Sequence, residues 1–173
     1  MSFYENLSIR AKMFSAFLLV VIVIVFSNLL LINSLNNLSE NTDNISKNIL
    51  PSTKLLAKIN AEFMAYRTRQ YRHAVVQTVE EKKKVEADLK TAYINFTKMC
   101  SDYERLITSP EEKAKYEEML DVYNTFIMLE PELIAASTSG DMNKSANVLE
   151  NKSRKPYFAV KSKIDELIKI NTE

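Results

Sequence analysis

Apolar positions follow two regimes along this chain. From Met13 to Ile32 they are continuous: MFSAFLLVVIVIVFSNLLLI carries no charge, and only Ser15, Ser27 and Asn28 interrupt it. A helix over that run is about 30 Å long, one hydrocarbon core, and it satisfies every backbone group within itself, as lipid demands. The run predicts a transmembrane helix. A cleaved secretory signal is the alternative reading, but the run exceeds the usual signal core and no small-x-small site closes it.

Beyond Ile32 the apolar positions become periodic. Leu35 and Leu38 continue a helical spacing. Ile45, Ile49, Leu56, Ile59, Phe63, Tyr66 and Gln70 then recur at steps of three, four or seven, a bundle seam. Pro51 predicts a kink near residues 48–51, with the helix running to about Gln77. Thr78-Val79-Glu80-Glu81 is a capping box, opening a second helix striped by Val85, Leu89, Ala92/Tyr93, Phe96, Met99/Cys100, Tyr103 and Leu106/Ile107. Ser109-Pro110-Glu111-Glu112 opens a third, with Tyr116, Met119/Leu120, Tyr123, Ile127 and Ile134 inward and a kink at Pro131. Gly140 followed by Asp141 reads as a stop and a new N-cap. The fourth helix carries Met142, Ala146, Leu149, Pro156, Val160, Ile164, Leu167 and Ile168. The predicted fold class is all-α: an N-terminal transmembrane helix continuing into an antiparallel up-down-up-down four-helix bundle.

Charge adds orientation. Arg10 and Lys12 precede the apolar run, while residues 33–39 carry no cation. The positive-inside rule places residues 1–12 in the cytoplasm, 13–32 in the membrane and 33–173 outside. Without Arg10, Lys12 and Glu5, the chain's 23 basic and 22 acidic residues become 21 of each. A neutral ectodomain gives no support to nucleic-acid binding. One cysteine, Cys100, excludes an internal disulfide framework and sits in an apolar stripe as a packing residue. The first ectodomain helix climbs roughly 65 Å, whereas the fourth stops short of returning that far. The expectation is a piece of a longer protein, with a second span near residue 185.

Catalytic chemistry has little to stand on. His73 is the single histidine, no HExxH, CxxC, phosphate loop or nucleophile elbow occurs, and no cofactor or metal is expected. Glu80-Glu81 and Glu111-Glu112 are explained as helix starts. The stretch with chemical content is Tyr66-Arg67-Thr68-Arg69-Gln70-Tyr71-Arg72-His73, where three arginines and a histidine stand without an acid between Glu62 and Glu80. Guanidinium forks suit a carboxylate, so Arg67, Arg69 and Arg72, with His73 and Tyr66, are the candidate site for a small anion. The competing reading is a cationic strip neutralised by Asp102, Glu104 or Glu132.

The ordering of Asn6-Leu7-Ser8-Ile9-Arg10-Ala11-Lys12, the span, Ile49-Leu50-Pro51, the Arg/Tyr/His stretch and four helices resembles the N-terminal sensory region of bacterial methyl-accepting chemotaxis proteins. The resemblance covers essentially the whole chain. It implies a non-catalytic receptor of the bacterial inner membrane and a periplasmic, homodimeric bundle. It further implies an organic acid or amino acid as ligand, and a chemotaxis kinase and adaptor as cytoplasmic partners. In that family, first-helix arginines near the membrane-distal dimer interface grip the ligand carboxylate with help from the fourth helix, where Tyr157 is the candidate here. Aspartate receptors space three arginines five and then four apart. Arg67 and Arg72 match the first step, Val76 occupies the next position and Arg69 is additional, so the aspartate pocket is not reproduced. A similar bundle feeding a histidine kinase or diguanylate cyclase, and a structural membrane tether, are the alternatives.

Overall fold

The computed structural model describes residues 8–172, and among them every regular element is helical. Met1–Leu7, which include Asn6 and Leu7 of the N-terminal motif, lie outside the described residues. The elements are α1 (Ile9–Asn44), a π-helical turn (Ile45–Ile49), α2 (Leu50–Val75), α3 (Val79–Glu104), α4 (Pro110–Ile127), α5 (Glu130–Thr138), α6 (Met142–Ala146), a second π segment (Asn147–Lys152) and α7 (Arg154–Ile170). They form two compact units, residues 1–46 and 47–173.

In the first unit, Ile9–Ile32 is the one helical stretch among the described residues long and apolar enough to cross a membrane, and none of it is buried by protein. Two of its polar side chains turn back on the helix. Ser15 Oγ donates to the Lys12 carbonyl at 2.9 Å and Asn28 Nδ2 to the Ile24 carbonyl at 2.8 Å. Such back-bonding satisfies a polar group where no water is at hand.

The second unit is a bundle of four legs: α2, α3, α4 with α5, and α6 with α7. Its turns sit where local chemistry puts them. Thr78 Oγ1 accepts from the Glu81 amide at 3.2 Å while Glu81 reaches back to the Thr78 amide, the reciprocal capping box. Ser109 caps α4 by accepting from the Glu112 amide at 3.1 Å, with Pro110 at the first helical position. Gly140 takes φ +75°, a left-handed conformation that side chains resist, and Asp141 then caps α6 through the amides of Asn143 and Lys144. α2 stops at Val75, slightly before the expected Gln77, because Val76 is already extended.

The apolar stripes meet in one core along α2, α3, α4 and α7. α2 packs chiefly along α3 and α4 along α7, and α2 against α7 joins the two hairpins. Phe63 is its centre: fully buried, with the rings of Phe96, Tyr123, Phe126 and Tyr157 at centroid distances of 6.0, 6.2, 5.2 and 5.1 Å. A smaller cluster of Ala74, Leu133, Ala136, Val148 and Leu149 closes the end that carries the Gly140 turn.

Several expected core positions are displaced. Ile45 is 54% exposed rather than buried, and it precedes the bundle unit, in which Asn48 Nδ2 donates to the Leu106 carbonyl at 3.0 Å. In the third leg Phe126 and Leu133 are buried, while Ile127 and Ile134 only flank the core. The bend there falls at Met128–Leu129, just after Ile127, the residue whose carbonyl the Pro131 ring would strike in a continuous helix. The fourth leg is not one helix. Met142 and Ala146 are exposed and Ser145 and Val148 face inward instead, while Leu149 is buried as expected.

At the opposite end, Glu112 does more than begin a helix. Its carboxylate is buried and accepts from Tyr103 OH at 2.6 Å, from Asn171 Nδ2 at 2.9 Å and from the Thr108 amide at 3.2 Å. This knot ties the α3–α4 turn to the end of α7. Glu112→Ala strands those donors and is expected to cost about 3 kcal/mol, lowering the melting temperature by about 10 °C in circular dichroism. A drop below about 2 °C would show that the knot contributes little.

Candidate functional site

The Arg/Tyr/His stretch lies in the last turns of α2, and its side chains diverge. A helix turns 100° per residue, so neighbouring residues meet different partners. Tyr66 is buried, and its hydroxyl donates to Glu130 at the start of α5. Arg69 Nη1 pairs with Glu62 on its own helix at 3.2 Å. Arg72, half exposed, lies 3.6 Å from Asp88 of α3. His73 is fully buried, with Nε2 3.2 Å from Glu86 of α3.

The carboxylates that meet Arg69, Arg72 and His73 are therefore Glu62, Asp88 and Glu86. Asp102, Glu104 and Glu132, the acids expected from sequence, pair instead with Arg105, Lys113 and Lys152. Lys113 and Lys152 stand one and two helical starts away in the chain and reach those acids across the bundle surface.

Arg67 points inward to the fourth leg. It is 6% exposed, and its guanidinium donates to Ser153 Oγ at 2.7 Å, the Leu149 carbonyl at 2.5 Å, Gln70 Oε1 at 3.1 Å and Tyr71 OH at 3.3 Å. It also lies against the rings of Tyr71 and Tyr157, 4.8 and 5.4 Å from their centroids. The π segment makes this contact possible. There the Ser153 amide donates five residues back, to the Val148 carbonyl at 2.8 Å, widening the turn that presents Leu149 to Arg67.

Over this contact runs a groove of about 350 Å³ between α2 and α7, lined by Arg67, Tyr71, Glu150, Arg154, Tyr157 and Phe158. In it a carboxylate of the protein meets a hydroxyl and a guanidinium. Glu150 Oε1 accepts from Tyr71 OH at 2.5 Å, and Arg154 Nη1 stands 3.7 Å from Glu150 Oε2. Burial and the bond to Glu150 raise the Tyr71 hydroxyl above its ordinary pKa, so it stays a donor. The structure thus brings Arg67 and Tyr157 together, buries Tyr66 and His73 against α5 and α3, and leaves Arg69 and Arg72 on other faces of α2. Sequence reasoning missed Arg154 and Glu150. Their i, i+4 spacing was visible, but only the unforeseen break in the fourth leg turns them toward α2.

The fold can now be compared with known proteins. A family model described as the four-helix-bundle sensory module for signal transduction matches residues 6–173. The chain belongs to this family, the sensory module of methyl-accepting chemotaxis proteins. It is a chemoreceptor-type sensor, from a family of sensory rather than catalytic modules, and its apolar N-terminal helix fits a membrane protein. No curated protein matches the chain.

Proposed function

We propose that this chain is the input region of a transmembrane chemoreceptor that binds a small anionic ligand, an organic acid or amino acid, in the groove between α2 and α7. The observation that carries the reading is Glu150, a carboxylate already seated between Tyr71 and Arg154 above the buried Arg67 cation. A ligand carboxylate of the same chemistry would displace it, gaining the Arg154 fork and the Tyr71 hydroxyl. Displacement would change what holds α7 against α2, and a small shift of α7 is the signal. In this proposal residues 1–12 are cytoplasmic, 13–32 span the inner membrane, and 33–173 form a periplasmic homodimeric domain reporting to a chemotaxis kinase and adaptor. Arg69 and Arg72, each held by a single carboxylate, remain available to a ligand shared with the second copy, with Tyr66 and His73 behind them.

The test is calorimetric titration of the full chain in lipid nanodiscs with a panel of mono- and dicarboxylic acids. One acid is expected to bind. Arg154→Ala is expected to weaken it by about tenfold or more, the loss of a charge-assisted bond. Glu150→Gln is expected to tighten it, because the internal competitor is gone. Absence of binding across the panel, or an acid indifferent to Arg154→Ala, overturns the groove as the site.

A further inference from the structure

The neutrality of the ectodomain conceals a segregation of charge. Residues 50–104, the α2–α3 hairpin, carry ten basic and seven acidic residues, whereas residues 105–173 carry ten and twelve. Part of the imbalance gathers on two exposed faces. On the hairpin, Lys54, Lys58 and Lys98 are exposed and pair with no carboxylate among the described residues. Lys54 stands about five full turns before Arg72, and Lys58 within about 40° of that face. Arg72 itself reaches across to Asp88 of α3, and Lys98 lies about 80° round from Asp88. The three lysines therefore border the outer seam where α2 meets α3. The acids nearest that seam are already engaged: Glu62 by Arg69, Asp88 by Arg72 and Asp102 by Arg105.

Along the back of α4, Glu111, Glu117 and Asp121 are exposed within an arc of about 120°. That arc is opposite the buried Tyr116, Met119, Tyr123 and Phe126. Glu111 and Asp121 have no ion pair among the described residues, and Glu117 meets only Lys113 of its own helix, at 3.7 Å. Ring contacts fix the level of each charge. Phe63 of α2 meets Phe96 of α3, Phe96 meets Tyr123 of α4, and Tyr103 meets Tyr116, at centroid distances of 6.0, 4.0 and 5.8 Å. These legs are antiparallel. Counting along them from the ring contacts sets Lys98 level with Asp121, Lys58 with Glu117 and Lys54 with Glu111, each to within about 5 Å along the bundle.

Copies anchored in one membrane by residues 13–32, as proposed above, stand the same way up. The α4 face of one copy can then meet the α2–α3 face of the next with three cations opposite three anions. Either face set against itself would bring like charges together. We infer that the bundles of neighbouring copies associate side by side, α4 of one against the α2–α3 seam of the next. The contact joins two different faces, so it is heterologous and leaves one free face at each side of the pair, from which a row or a ring can grow. It is additional to the homodimer proposed above and makes no use of the α2–α7 groove. Exposed ion pairs are individually weak. Copies confined to one membrane nevertheless meet at a high effective concentration, and the charge pattern then selects the arrangement.

The experiment mixes two variants of the full chain, Lys98→Cys and Asp121→Cys, carrying different tags, in the same liposomes. The native Cys100 is buried and does not meet the reagent. A short bis-maleimide is expected to link the two variants to each other, and far less to link either to itself. Lys58→Glu added to the Lys98→Cys variant is expected to lower the yield severalfold, Glu117→Lys added to its Asp121→Cys partner to restore it, and Arg154→Ala to leave it unchanged. All these charges are exposed, so each variant is expected to keep the parent's melting temperature. Raising the salt from about 0.05 M to about 1 M is expected to weaken the link. The inference is overturned if the mixture links no better than either variant alone, if Lys58→Glu does not lower the yield, or if Glu117→Lys fails to restore it. A chain that does not float with the liposomes would count against the span itself, and against the inference with it.

Discussion

Between about pH 9 and about pH 12 the bundle is expected to unfold cooperatively, losing its far-ultraviolet helical signal as its buried tyrosines ionise. Tyr66, Tyr103, Tyr116 and Tyr123 are each buried, and burial is the main cause that raises each hydroxyl above its ordinary pKa of 10.0. The Glu130 carboxylate adds to this at Tyr66 and the Glu112 carboxylate at Tyr103. Tyr123 has no hydrogen-bond partner for its hydroxyl, so nothing would stabilise a phenolate there. Burial alone pushes the Cys100 thiol up to about 12 from 9.0.

Above the ordinary pKa, the unfolded chain has released these protons and the folded chain still holds them. Stability therefore falls as pH rises, by about 1.4 kcal/mol per pH unit for each group. Cys100 begins the decline near pH 9, and four tyrosines joining it steepen the fall to roughly 7 kcal/mol per unit above about pH 10. Domains of this kind have only about 5–15 kcal/mol to lose. Tyrosinate absorbance and circular dichroism, followed together on the full chain in detergent, should change in a single step. Buried tyrosines that ionise near pH 10 while the helices persist to about pH 12 would contradict the packing described here.

The second large effect is expected at Phe63. Phe63→Ala removes the ring that four other rings touch, from a site with no exposure. Lost transfer energy and the cavity left behind amount to about 3–5 kcal/mol, or roughly 10–20 °C in melting temperature. The rings around it come from α3, α4 and α7, so collapse into the gap would have to move three helices at once. Phe63→Leu, which keeps most of the volume, should cost about half as much. Thermal denaturation followed by circular dichroism separates the two variants. An alanine variant within about 1 kcal/mol of the parent would mean that Phe63 does not hold the legs together.

Elements whose signals are local were legible without coordinates. The Thr78–Glu81 box, the Ser109-Pro110 start and the Gly140-Asp141 junction each depend on four or five adjacent residues, and each stands where the chain spells it. Core stripes were legible in α2 and α3, where the helix is regular, from Leu56 to Gln70 and from Val85 to Tyr103. They slipped where the helix changes pitch. Nothing in Asn147-Val148-Leu149-Glu150-Asn151-Lys152 announces a π segment, because its wide turn is coupled to Arg67 of a different leg. The candidate site suffered for the same reason. Arg67 could be named from its neighbours, but Arg154 and Glu150 acquire a role only through tertiary packing. The acids that neutralise Arg69 and Arg72 were mispredicted because Glu62 lies two turns back on Arg69's own helix and Asp88 meets Arg72 only through the rotation of α3 against α2.

The π segment leaves the fourth leg with slack. A turn that closes five residues back rather than four holds about one residue more than an α-turn, equivalent to roughly 100° of rotation and 1.5 Å of rise. The stripe of Val160, Ile164 and Leu167 is in phase with the core only while that slack is held. Part of what holds it is the bond from Arg67 to the Leu149 carbonyl, one helix face away from the groove that Arg67 floors. The rotational phase of α7 and the floor of the groove thus hang on the same guanidinium.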